Sequence, residues 1–157
     1  MKYRMLQADE LSALEADLKA FLIVNGIDGT IWERINQDEP EKAIKLVEMF
    51  SDTVLQRVYE KLSYVEFRSE QSCIVFQCNE DHMRLISLVR KEGSTLSLDS
   101  PESIHDALVI HIDQLEVFQS RKNYTQEREQ EIHNLLTQGC VPSSSDFWVS
   151  LEKAFLN

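Results

Sequence analysis

Glu102 and His105 stand three apart and Glu129 and His133 four apart, spacings that bring an acid and an imidazole onto one helical face. A Glu-x-x-His pair is half of a carboxylate-bridged two-metal site, which needs a second such pair and two further carboxylates; only one pair is found here. The spacing therefore predicts no metal centre, and Glu129 with His133 reads as a surface pair beside a solvated acidic face made by Glu127 and Glu131. Tyr64, Glu66 and Arg68 alternate, which lines a phenol, a carboxylate and a guanidinium along one face of a strand. If helices leave that face open, these three form the best-organised binding surface in the chain; otherwise cross-strand pairing with Arg84 or Arg90 absorbs them. No Gly-rich phosphate loop, Gly-x-Ser-x-Gly elbow or His-Glu-x-x-His helix occurs, so no catalytic residue and no cofactor are assigned.

Composition narrows the partners. Twenty-seven acidic against 16 basic residues give a net charge of −11 over 157 residues, a field that repels phosphate backbones and anionic lipid. Nucleic acid and membrane surfaces are excluded as partners on that ground, and the longest early apolar run, Phe21-Leu22-Ile23-Val24, is far short of a membrane span. The expected location is the cytoplasm. Cys73 and Cys78 lie five apart on one strand and so on opposite faces, while Cys140 follows Gly139 at a helix C-terminus, where the dipole disfavours a thiolate. All three read as reduced, unreactive thiols.

The elements that position these residues follow from periodicity. Leu11, Leu14, Leu18 and Phe21 predict one helix over Ala8 to Val24, stopped by Asn25-Gly26. Thr30-Ile31-Trp32-Glu33 reads as a capping box for a short second helix with Trp32 as its anchor. Pro40 opens a third, whose apolar face holds Val47, Phe50, Val54 and Val58, widened by Leu46, Leu55, Tyr59 and Leu62. Alternation then predicts strands at Tyr64 to Arg68, Cys73 to Phe76 and Arg84 to Arg90, joined by turns at Ser69 to Ser72 and Asn79 to His82, with Thr95 to Leu98 as a fourth short strand. Ser100-Pro101 restarts a helix whose seam, Ile104, Leu108, His111, Leu115 and Phe118, runs to about Arg121. Helices over Thr125 to Gln138 and Asp146 to Phe155 complete the chain, the last bearing Phe147 and Trp148.

The fold class is thus α+β: a three- or four-stranded antiparallel meander between two sets of helices, about six helices in all. We expect a single domain over 1–157, helical over 1–63, stranded over 64–90 and helical again over 100–157. The expected function is a cytosolic protein-interaction or adaptor module whose partner is another protein or a second copy. Self-association would run through His111 and Phe118 of the seam or through Phe147 and Trp148. The alternative is a small-molecule-binding or metal-dependent hydrolytic enzyme with its site near Glu66 and Arg68, drawing on His82 or His105.

Met1-Lys2-Tyr3-Arg4, the run Phe50-Ser51-Asp52 leading to Val54, Glu66-Phe67-Arg68-Ser69, and Glu127-Arg128-Glu129 with Ile132 and Gly139 resemble a family of small uncharacterised proteins from bacteria. The resemblance spans most of the chain. It implies a single cytosolic bacterial domain and transfers no activity.

Overall fold

The computed structural model describes residues 1–155, and the chain divides into two compact units, Met1–Val58 and Tyr59–Asn157. Seven α-helices and five strands occur among the described residues. The α+β class and the central meander are where the residue pattern puts them; the helical sets differ in detail.

In the first unit the expected first helix is two, α1 (Ala8–Ala13) and α2 (Glu15–Val24), because Leu14 leaves helical geometry at φ −107° and ψ 22°. Gly26 ends α2 at φ +78°, a conformation that costs glycine nothing. Helix α3 (Gly29–Asp38) starts one residue before Thr30, so the capping box at Thr30 gives way to Asp28, whose carboxylate accepts from the Ile31 N–H at 2.9 Å. Helix α4 (Pro40–Lys61) opens on its proline, as expected. Leu22, Ile27, Ile35, Ala43 and Leu46 form a core against which Trp32 packs, and Phe21 meets Phe50 with ring centroids 5.5 Å apart. The N-terminal segment is strapped onto α4. Asp52 accepts the N–H groups of Lys2 and Tyr3 at 2.7 and 2.8 Å, and the buried Ser51 hydroxyl accepts that of Leu6 at 3.0 Å.

The second unit is built on one antiparallel sheet in the order β4-β3-β2-β1-β5. Its strands are β1 (Tyr64–Arg68), β2 (Ser72–Cys78), β3 (His82–Arg90), β4 (Leu115–Asn123) and the two-residue β5 (Val141–Pro142). The meander β1-β2-β3 is where alternation placed it; β4 is a correction. Helix α5 (Pro101–Val109), capped by Ser100, stops twelve residues short of the expected end, a 3-10 turn follows at Ile112–Gln114, and the rest of the supposed seam is strand. Strand parity explains it: Leu115 and Val117 point together into the core from β4, while nine residues of β3 find their antiparallel partners along it. Thr95–Leu98 is irregular rather than stranded. The buried Leu98 donates its N–H to the Glu70 carbonyl at 3.0 Å, and Arg90 donates to the Leu96 carbonyl at 2.8 Å.

Helices α5 and α7 (Ser145–Phe155) cover one face, where Ile104, Ala107, Trp148 and Leu151 close over Cys73, Val75, Ile86 and Leu88. Helix α6 (Arg128–Thr137) runs on the other, with its Glu131 reaching Lys122 of β4 at 3.4 Å and Gly139 beyond its end standing against Phe67 of β1. No helix among the described residues is long and apolar enough to cross a membrane.

Candidate interaction surface

Cross-strand register assigns every side chain of the sheet to a face. Tyr64, Glu66 and Arg68 pair with Gln77, Val75 and Cys73, so all three lie on the face that α5 and α7 cover. The helices do not leave that face open, so the condition for a polar binding surface there is not met. Glu66 is buried, accepts from the Arg68 Nε, and pairs with neither Arg84 nor Arg90 in that contact. Arg68 in turn lies 5.3 Å from the Phe147 ring, and Tyr64 packs on Trp148 with centroids 6.1 Å apart. The thiol of Cys73 is pushed up to about 12 by burial first and the Glu66 carboxylate second, and Cys78 on the opposite face to about 11 by burial. Both are free, as is the buried Cys140, whose pKa burial also raises.

The four residues expected at an interface separate. Trp148 is 1% exposed, a core residue whose indole also meets the Arg84 guanidinium at 5.3 Å, and Phe147 packs half-buried against the same cluster. His111 precedes the 3-10 turn at the end of α5 and belongs to no seam. Phe118 alone of the four is well exposed, at 55%, on β4.

The remaining sequence candidates disperse. His82 opens β3, its Nδ1 2.7 Å from the Asp81 carboxylate. His105 and Arg68 line a recess of about 290 Å3 with Ile104, Leu108, Ser144 and Phe147. His133 meets the Tyr59 hydroxyl through Nδ1 at 2.8 Å. Glu131 is a correction to the solvated acidic face: it is buried and accepts from the Thr125 N–H and hydroxyl, both at 3.0 Å. No three His, Cys, Asp or Glu among the described residues are placed to hold a metal ion.

Sequence reasoning missed Arg128 and the two sheet edges. The Arg128 guanidinium donates to the carbonyls of Tyr59, Leu62 and Cys78 at 2.9, 2.5 and 3.2 Å, tying the end of α4 to the end of β2. Only its unusually low exposure for a surface-type residue reveals that role, and exposure is not written in a local pattern. The edges contrast. On one side β5 pairs only with Val65 and Glu66 and ends in Pro142, which has no N–H to offer a further strand. On the other, β4 runs nine residues, is exposed from Phe118 to Asn123, and has no strand beyond it among the described residues.

Hydrogen-bond parity identifies which groups of β4 are open. Arg90 donates its N–H toward β2 and Lys91 donates to the Gln114 carbonyl at 2.8 Å, so the residues of β4 that face β3 are Glu116, Phe118, Ser120 and Lys122. The N–H and C=O groups of Val117, Gln119, Arg121 and Asn123 point outward, while the buried Leu115 spends its N–H on the Ile112 carbonyl of the 3-10 turn. Phe118 also ends a cross-strand row that runs from Phe67 through Ile74 and the polar Ser87, on the face opposite α5 and α7. This combination of open backbone groups and an exposed aromatic can receive an extended chain.

Comparison with curated proteins and with solved structures returns no match. A family model covers nearly the whole chain, over residues 1–156, and the chain belongs to that family, described as a family of unknown function (DUF6495).

Proposed function

We propose that this family member is a protein-interaction module that takes an extended segment of its partner as an added strand on the free edge of β4. The observation that carries the reading is the contrast between the two sheet edges, one ended by Val141–Pro142 and the other open from Val117 to Asn123. Main-chain pairing along the outward groups would supply affinity, and Phe118 on one face with Val117 on the other would supply selectivity. The acidic chain, at −11, is suited to protein rather than phosphate-bearing partners, in keeping with the cytoplasmic setting we propose for it.

Peptides selected from a displayed random library on the immobilised protein test this reading. Hydrogen exchange on the resulting complexes is expected to protect the amides of Val117, Gln119 and Arg121. Selected peptides that instead protect the apolar groove between α2 and α4, lined by Phe21, Phe50 and Val54, would overturn it.

A second reading is favoured by the meeting of Arg68 and His105 in one recess, where a small carboxylate or phosphate would find a cation and an imidazole. Titrating phosphate and acetate while following the His105 ring protons by NMR decides it; unmoved signals at saturating anion remove this reading.

A further inference from the structure

We infer that the β4 edge pairs with the β4 edge of a second copy of this chain, antiparallel, about a two-fold axis through Gln119. This rests on the reading of β4 as a docking edge and adds its occupant. Three independent properties of the nine residues support self-pairing in this one register.

The first is parity. Reversing β4 about Gln119 brings Val117 opposite Arg121 and Gln119 opposite its own copy, all of them residues whose backbone groups point outward. From Val117 to Arg121 every open group of one copy then faces an open group of the other. A slip of one residue would set an outward residue against one that already faces β3, so alternative registers come only in steps of two, each leaving strand ends unpaired.

The second is charge. The strand carries Glu116 near one end and Lys122 near the other. The Gln119 register places Glu116 of each copy opposite Lys122 of the other, two unlike pairs per dimer, whereas parallel pairing in register would set like against like. Lys122 also faces Glu131 of α6 at 3.4 Å, so each Lys122 would stand between two carboxylates.

The third is the exposed aromatic. Phe118, 55% exposed, comes opposite Ser120 of the second copy and diagonal to its Phe118, within reach of a ring contact that removes both from water. The two sheets become one of ten strands, with the ends capped by β5 outermost. A strand pair buries less than the roughly 1,200 Å2 at the low end of stable interfaces, so the dimer is expected to be weak and concentration-dependent.

Sedimentation velocity on the full chain and its variants tests the inference. Wild type is expected to pass from monomer to dimer across micromolar concentrations. Glu116→Lys and Lys122→Glu each set like charges opposite twice and raise the dimer dissociation constant roughly tenfold or more. Mixing those two single variants restores dimer, because each then supplies the charge that the other lacks. Gln119→Pro removes an outward N–H that β3 does not use, and is expected to abolish dimer with unchanged circular dichroism; it stands in for Lys122→Glu should loss of the Glu131 contact unfold that variant. A wild type that stays monomeric while its β4 edge still takes selected peptides overturns self-pairing and leaves the strand-addition reading intact. A dimer untouched by Gln119→Pro and by both charge reversals overturns self-pairing through this edge.

Discussion

The Glu66 carboxylate accepts a hydrogen bond from the Arg68 guanidinium two positions along the same strand, on the face that α5 and α7 cover. A buried carboxylate stripped of its cation is costly, whereas removing both members together is not. Arg68→Met is therefore expected to destabilise by about 3 kcal/mol, and Glu66→Leu combined with Arg68→Met by less than Arg68→Met alone. Urea denaturation of the two variants and the wild type checks this; a double variant worse than the single would show that the pair contributes through something other than mutual compensation.

Arg128 makes a second prediction about the same unit. Arg128 caps the end of α4: its guanidinium donates to the Tyr59 carbonyl, which also accepts the Leu62 N–H, and to the Leu62 carbonyl just past the helix, while it also reaches Cys78. A lysine has one nitrogen and cannot span three carbonyls. Arg128→Lys should cost nearly as much as Arg128→Ala, about 2 kcal/mol in either case. Full recovery of the wild-type urea midpoint by lysine would mean that charge alone, not the forked geometry, is what α4 needs.

Glu131 gives the acid limb of the stability curve. Burial alone would raise its pKa, yet the Thr125 N–H, the Thr125 hydroxyl and Lys122 together outweigh burial and hold it below its ordinary 4.5. A group depressed in the folded state adds stability that is complete above the unfolded value and lost as pH falls through the folded one. Thermal midpoints measured from neutral pH downward should fall below about pH 4.5, and Glu131→Gln should lower the neutral plateau while making that fall shallower. An equally steep acid limb in the variant would assign the loss to other carboxylates.

Local patterns were legible where each element depends on its own residues. The parity of Tyr64 to Arg68 holds in β1, Ser100-Pro101 opens α5, and Gly139 follows α6 at φ +106°. What local pattern did not carry was pairing between distant segments. Ile104, Leu108, His111, Leu115 and Phe118 fit a helical seam, but Leu115-Glu116-Val117-Phe118 also alternates, and only the unpaired edge of β3 decides between the two. The same limit hid the helices above Glu66, since alternation sorts side chains onto two faces without saying which face is covered. Residues that carried the sequence resemblance are now placed as contacts: Lys2 and Tyr3 reach Asp52, Gly139 stands against Phe67, and Arg128 gathers three carbonyls.

The cysteines yield the last prediction. Reactivity follows the thiolate fraction and access, and Cys73 and Cys78 fail on both counts, being buried with pKa values near 12 and 11. Cys140 is buried as well and shifted in the same direction, by burial rather than by the helix end that the sequence suggested. Native protein at mildly alkaline pH should therefore release no chromophore from a disulfide thiol reagent within minutes, and all three thiols should react at once in concentrated guanidinium. Because Cys73 lies beside Glu66 and Arg68, its exchange in native conditions reports opening of the face beneath α5 and α7. Arg68→Met should accelerate labelling at Cys73 more than at Cys78, and mass mapping of labelled peptides distinguishes the two; equal acceleration at both would mean that the variant opens the whole sheet rather than that one face.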